Sequence, residues 1–437
     1  MQRTIQTFLV DDIQKFKKQL LIWAQQFETV LWLDSNNYKQ EYFSFDGALA
    51  VEELTSIKTD YLNAFDKLKE YQTITNDYIF GYISYDVKND TEQLSSKNFD
   101  GLDFADLYFF QPQKLFFIKG NTIEFHYLKM VDDEMENDFE EINSFKNKLD
   151  FDCAQSDIEE KKIKIKLRIH KDEYHSKVNK VLEHIKRGDI YEANFCQEFY
   201  AENSTINPLE VYHHLNEISE PPFATYFKNE HQYLLSATPE RYIRKEGTKI
   251  ISQPIKGTAK RLRSKIDDDK IASDLARDLK ERAENVMIVD LVRNDLSKIA
   301  NRGTVNVDEL CGIYTFSQVH QMISTVSGEV EKEVSFDEII EATFPMGSMT
   351  GAPKIRAMEL IEQYETTKRG LYSGTVGYIS PEGDFDFNVV IRSLQYNQKD
   401  NYLSFIVGGA ITALSDPEKE YDECLLKAKA MLEVLGN

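Results

Sequence analysis

Gln253-Pro254-Ile255-Lys256-Gly257-Thr258 occupies the place where a strand gives way to a turn. The alternating Ile250-Ile251-Ser252 before it reads as the end of that strand. Pro254 has no N–H and ends regular pairing, and Gly257 lets the backbone come close to whatever Lys256 points at. A lysine at such a junction is a nucleophile or a simple charge partner, according to its pKa. A solvated loop lysine is the plainest reading of an isolated Lys-Gly. The neighbours decide between these readings, because the other candidate motifs lie on either side, within residues 188–428.

Upstream, Tyr174, Val178, Val181, Leu182 and Ile185 make one apolar helical face that Gly188 terminates. Asp189 to Phe195 follows as a strand, then Tyr233-Leu234-Leu235-Ser236 runs into Thr238-Pro239-Glu240-Arg241. Downstream, the spacing of Leu275, Leu279, Ala283 and Val286 predicts one long helix over 273–297. Ser335 with Glu338 makes a capping box, Pro353 suits the first turn of a further helix, and Asp416-Pro417 opens a last helix to about Val434. Strands are expected near 374–380 and 385–394, and at 405–411. The first 128 residues add a helix at 17–26 and strands at Val30–Leu33, Tyr78–Tyr85 and Leu115–Ile118.

The predicted helices at 273–297 and 416–434 each carry a Glu-x-x-Glu pair, Glu281 with Glu284 and Glu420 with Glu423. Three-residue spacing puts both carboxylates of a pair on one face, and Lys427 extends the second face. Alone, each pair is an ordinary solvated face. Converging on one cleft, four carboxylates would repel one another, and a hard divalent cation such as Mg²⁺ would relieve them. Arg392, in Asn388-Val389-Val390-Ile391-Arg392, needs a partner inside an apolar strand, either a structural or a substrate carboxylate. Gly408-Gly409 at a strand end can offer backbone N–H groups to an anion. Gly347 to Lys354 imitates a phosphate loop, but the glycine-to-lysine spacing is wrong and Ile355 replaces the metal-binding hydroxyl.

The balance of 74 acidic to 52 basic residues, a formal charge of −22, argues against nucleic acid or an anionic membrane as partner. An anionic substrate would therefore need a locally positive or metal-filled pocket. The four cysteines, Cys153, Cys196, Cys311 and Cys424, are widely spaced, which suits a reducing cytoplasm. No signal peptide opens the chain, and the charge-free run 310–328 is too polar for a membrane span.

Taken in order, GDIYEANF (188–195), SATPER (236–241), QPIKGT (253–258), RAENVMIVDLVRNDL (282–296), GSMTGAPKIRAME (347–359), FNVVIRS (387–393), VGGAIT (407–412) and EYDECLLKA (420–428) resemble the chorismate-utilising enzyme family. The resemblance implies an α+β fold in which two antiparallel β-sheets pack face to face with helices on the outside. Within it, residues 1–128 are expected as an N-terminal strand-rich subdomain, 129–169 as an acidic and mixed-charge connecting segment, and 170–437 as the chorismate-binding catalytic region. Lysine at 256 resembles the aminodeoxychorismate synthase branch; anthranilate synthases carry alanine there. Isochorismate and salicylate synthases use a water-activating lysine where this chain has Glu192, and the aminodeoxychorismate branch usually has glutamine.

That resemblance implies amination of chorismate at C4, giving 4-amino-4-deoxychorismate for 4-aminobenzoate and folate synthesis, with Lys256 as covalent nucleophile and Glu240 as proton donor. A structural partnership of Glu240 with Arg241 is the competing reading. Gly257, Thr258, His320, Tyr378, Arg392, Gly408, Gly409 and Lys427 are implied around the substrate, with a satisfied core histidine as the other reading of His320. Glu284 and Glu423 are implied as Mg²⁺ ligands, backed by Glu281 and Glu420. Ammonia would come from a separate glutamine amidotransferase subunit, since no cysteine lies in a Gly-x-Cys-x-Gly elbow. An aminodeoxychorismate lyase would act downstream. An anthranilate synthase large subunit and a catalytically silent chorismate-binding homologue are the alternatives. Covalent catalysis further leads one to expect a Lys256 pKa below the solution value.

Overall fold

Alternation along the strand Thr29–Asp34 shows how the layers are built. Leu31 and Leu33 join a cluster with Phe80, Tyr82, Phe227 and Val376. Val30 and Trp32 join another with Trp23 and Phe116 and with helical residues such as Val178 and Ala428. A period of two thus sends one set of side chains between two β-layers and the other beneath outer helices. The computed structural model describes residues 2–38, 41–92, 94–145 and 163–436, so Cys153 and residues 146–162 of the predicted connecting segment lie outside the described residues.

The first layer runs, with every pairing antiparallel, through Thr122–Leu128, Leu107–Lys119, Gly47–Thr59, Thr29–Asp34, Phe223–Asn229, Gln232–Thr238, Ser393–Asn397, Tyr402–Thr412 and Glu192–Ala201. The second runs through Ile79–Ile83, Thr375–Ile379, Phe385–Val389, Arg241–Glu246, Lys249–Gln253 and Val319–Glu329. The long strand Leu107–Lys119 belongs to both: its first half pairs with Ile79–Ile83 and its second half with Thr122–Leu128. The two sheets are therefore one continuous hydrogen-bonded ladder folded on itself. Helices pack on both outer faces, including Lys171–Arg187 on the first layer and Leu279–Ser297 and Phe336–Thr343 on the second. This is the α+β architecture expected from the sequence. Among the described residues, no helix is long and apolar enough to cross a membrane.

Two local expectations are corrected. The helix predicted over 273–297 is two helices, Lys265–Arg277 and Leu279–Ser297. Asp278 leaves helical geometry, and its side chain caps the second helix by accepting from the Lys280 and Glu281 N–H groups. The inward face of that helix is Asn285, Ile288, Val289, Val292 and Leu296, leaving Leu279 and Val286 exposed. The strand predicted over 385–394 stops at Val389 and resumes at Ser393, because Arg392 adopts a left-handed backbone at φ +51°. There the chain passes from the second layer to the first. Within the acidic run at 131–138, Asp138 is buried and holds the Lys114 ammonium at 2.8 Å.

Candidate active site

The site forms where the chain crosses between layers. One crossing, after Thr238, carries Glu240; the other, before Ser393, carries Arg392. The two are stitched together, the Ala237 N–H donating to the Arg392 carbonyl and the Val389 N–H to the Glu240 carbonyl, each at 3.0 Å. Beside them, the register along Val319–Glu329 slips between Ile255 and Thr258. That bulge takes Lys256 and Gly257 out of the ladder. Gly257 has φ +96°, and a Cβ there would stand 3.2 Å from both Glu281 Oε2 and Met322 Cβ. Only glycine combines that backbone with that proximity. Thr258 rejoins the ladder opposite Gln321.

Lys256 Nζ lies 3.2 Å from Glu192 Oε1, the two side chains being 14% and 2% exposed. Glu192 opens the strand Glu192–Ala201 and is gripped between Thr412 on one side and Ala352 on the other. Burial favours the neutral amine of Lys256, but the carboxylates of Glu192, Glu284 and Glu240 outweigh it and hold the ammonium above its ordinary pKa. The depressed lysine expected from the sequence is thus not found in the free protein.

Glu240 is buried, and desolvation pushes its carboxyl up to about 7 against the opposing Ser348 hydroxyl, the Lys256 charge and the Ile255 N–H. Arg241 does not claim it. That guanidinium is held by both oxygens of Asp386, at 2.8 and 3.0 Å, and by Gln253 Oε1 at 2.6 Å.

The Glu-x-x-Glu faces converge electrostatically: Lys280 lies in the field of Glu284, Glu420, Glu281 and Glu423 together. Burial lifts Glu284 to about 7, against Lys256 and Lys280, and raises Glu281 and Glu420 as well. Burial acts upward on Glu423 too, but the Lys427 ammonium 2.6 Å away and its neighbours bring it below the ordinary carboxylate value. Gly409 faces this group; a Cβ there would stand 3.5 Å from Glu420 Oε2 and 3.7 Å from Glu423 Oε1. Gly408 has no room for a side chain, since a Cβ would fall 2.3 Å from Cys196 Sγ, and its carbonyl accepts from Lys427 Nζ at 2.9 Å.

Arg392 is also within the electrostatic reach of Glu423, and of Tyr372. Tyr378, by contrast, packs between the layers against Phe80 and Phe45 and is not brought to the cleft. Tyr372, which sequence reasoning passed over, is the tyrosine beside Arg392; its place in a loop between two glycines gave no periodic signal. His320 has both ring nitrogens engaged, Nδ1 with Thr315 Oγ1 at 2.9 Å and Nε2 with Asp268 Oδ1 at 3.0 Å. It lies opposite Ala259 in the ladder that carries the lysine bulge.

Asn285 was also missed. Its Nδ2 donates to the Lys256 carbonyl at 3.4 Å and to the Met322 carbonyl at 3.3 Å, while its Oδ1 accepts from Ser324 Oγ at 2.5 Å. The helix bearing Glu281 and Glu284 is thereby fastened to the loop bearing Lys256. A polar residue on the inward, apolar face of a helix was the available signal.

This arrangement has known counterparts. The description of chorismate binding enzymes matches residues 28–433. The chain belongs to that family. An anthranilate synthase component I-like protein of Synechocystis is 34% identical over 357 residues, covering 81% of this chain and 72% of that protein. Aminodeoxychorismate synthase component 1 of Escherichia coli is 37% identical over 265 residues, covering 61% of this chorismate binding enzyme but only 58% of the relative. Anthranilate synthase component I of Streptococcus pneumoniae superposes with a TM-score of 0.74 at 25% identity, over 91% of this chain and 94% of that one.

The donor chemistry of the cleft suits a hard cation. The carboxylates of the two helices are oxygen donors, three of the four driven toward neutrality by burial. Among the described residues, no three His, Cys, Asp or Glu side chains already close on one point. A cation here would take one carboxylate from each helix and complete its shell with water and substrate oxygens.

Proposed function

We propose that this chorismate binding enzyme aminates chorismate at C4, giving 4-amino-4-deoxychorismate, with Lys256 as the covalent nucleophile. The observation that carries this reading is the placing of Lys256 Nζ, buried in a bulge against Glu192 and within the fields of Glu240 and Glu284. In the proposed sequence the Lys256 amine bonds to C2 while the C4 hydroxyl departs as water with the Glu240 proton. Ammonia then bonds to C4, the bond to Lys256 breaks, and Glu240 recovers a proton from the incoming nitrogen. A carboxyl near pKa 7 is suited to giving and taking a proton at neutral pH.

Arg392 and Lys427 supply positive charge for the substrate carboxylates, with Gly408 and Gly409 allowing close approach. Gly257 and Thr258 shape the lysine loop. Mg²⁺ held by Glu284 and Glu423, with Glu281 and Glu420 behind them, would neutralise substrate carboxylate charge. Ammonia would be delivered by a separate glutamine amidotransferase subunit, and an aminodeoxychorismate lyase would consume the product. Cys196, Cys311 and Cys424 are free and buried, in keeping with a reducing, cytoplasmic setting.

Anthranilate synthesis is the second reading, favoured by the name of the Synechocystis relative. The test is mass spectrometry of protein quenched with chorismate and Mg²⁺ in the absence of ammonia. An adduct mapped to Lys256 is expected; unmodified Lys256 throughout turnover would refute covalent catalysis.

A further inference from the structure

The resting state of Lys256 poses a chemical problem. An ammonium has no lone pair, and three surrounding carboxylates favour the ammonium. Some group must therefore remove a proton before a carbon–nitrogen bond can form. The charged groups facing Lys256 are Glu192 from the strand Glu192–Ala201, Glu240 from the layer crossing, Glu284 and Glu281 from the Leu279–Ser297 helix, and Glu423 from the C-terminal helix. Glu192 alone among the described residues forms an ion pair with Nζ, at 3.2 Å.

We propose that Glu192 is the proton acceptor for Lys256, taking a proton as the amine bonds to substrate carbon and returning it when the amine leaves. The inference rests on the covalent role proposed for Lys256. Three features of Glu192 support it. Its side chain is 2% exposed, which keeps bulk water from competing for the transfer. Its main chain is fixed by pairing on both sides, so the carboxylate is pre-aimed. Its second oxygen, Oε2, is buried with no hydrogen-bond partner among the described residues. A carboxylate kept only as a structural counter-ion would be expected to have both oxygens satisfied.

The transfer balances. Nζ gives one proton to the Glu192 carboxylate, and its freed electron pair forms the bond to C2, leaving a secondary ammonium. When ammonia bonds to C4, the C2–Nζ electron pair returns to nitrogen. Glu192 then gives its proton back, restoring ammonium and carboxylate. Glu240 handles the separate proton of the departing hydroxyl.

The test is the rate of Lys256 adduct formation with chorismate and Mg²⁺, without ammonia, followed from pH 6 to 9 in the wild type, E192Q and E192D. The wild-type rate should fall about tenfold per pH unit above 7, as Glu240 loses the proton that the departing hydroxyl needs. In E192Q the lysine must lose its proton to solvent, a gain of about tenfold per pH unit that offsets the loss of the Glu240 proton. Adduct formation should then be slower by about 10²-fold near neutrality and level above it. E192D, which keeps the base one methylene further away, should be slower than wild type but fall with pH as wild type does, showing that the pocket survives substitution. An E192Q profile that falls above pH 7 as steeply as wild type would overturn the proposal, whatever its absolute rate. Absence of an adduct even in wild type would remove the covalent reading itself. An adduct formed at the same rate by wild type and E192Q would remove only the role of Glu192. Release of a 2-hydroxy product by wild type, lost in E192Q, would assign Glu192 to water activation and also overturn it.

Discussion

Glu240→Gln should make the protein more stable at alkaline pH while nearly abolishing its activity. The Glu240 carboxyl moves from 4.5 to about 7 on folding, because burial penalises its charged form more than Ser348, Lys256 and the Ile255 N–H compensate. At 1.36 kcal/mol per unit, the ionised form costs the fold about 3 kcal/mol. The sign follows from the direction. The folded-state pKa is raised, so the cost is absent below pH 4.5, grows as pH rises from 4.5 to about 7, and is complete above it. Glutamine carries no charge and avoids that cost, but its NH₂ now faces one donor that the carboxylate accepted from, a loss of about 1 kcal/mol. Urea denaturation should therefore find E240Q more stable than wild type by about 2 kcal/mol at pH 8, and no more stable at pH 4.5. Ammonium-dependent turnover should fall by about 10²–10⁴-fold, the usual worth of a positioned acid. Wild-type turnover should itself decline about tenfold per pH unit above 7. Equal stability differences at the two pH values, or near-normal turnover by E240Q, would refute the assignment of a buried, half-protonated acid.

Three further outcomes are expected. Lys256→Ala removes the nucleophile but leaves the acidic helices and Arg392, so it should lose C4 amination and slowly form a 2-amino product from ammonium, read by chromatography. Glu284→Gln and Glu423→Gln should each raise the Mg²⁺ concentration needed for half-maximal turnover by tenfold or more with unchanged circular dichroism; wild-type activity at limiting Mg²⁺ would show that the ligands are elsewhere. Asn285→Ala strands the Lys256 and Met322 carbonyls and the Ser324 hydroxyl. It should cost about 1–3 kcal/mol in denaturant unfolding, with turnover falling further than the loss of folded protein explains.

Local chemistry carried much of the fold into the sequence. Gly188 does end its helix in a left-handed turn at φ +84°, and Asp416 does cap the last helix ahead of Pro417. The strands were legible because alternating side chains serve two different interiors, as Leu31 and Trp32 show. The failures have equally specific causes. Arg392 follows Val389-Val390-Ile391, a β-branched run that reads as strand, yet a left-handed residue turns it between layers, and no residue type announces that in an arginine. Leu279 kept helical spacing with Leu275 across the break at Asp278, so periodicity joined two helices into one. The raised pKa of Lys256 is invisible in the sequence because the three carboxylates that hold it up come from residues 192, 284 and 240, which only the folded chain brings together. The resemblance implies Tyr378 at the substrate, but alternation sends it between the layers, while Tyr372 stands beside Arg392.

The most direct test of the account is the identity of the product. Purified protein should be incubated with chorismate, Mg²⁺ and ammonium salt, with and without added aminodeoxychorismate lyase. The account predicts 4-aminobenzoate only when the lyase is present and no anthranilate in either case. Anthranilate formed without the lyase would place the amination at C2 and contradict it.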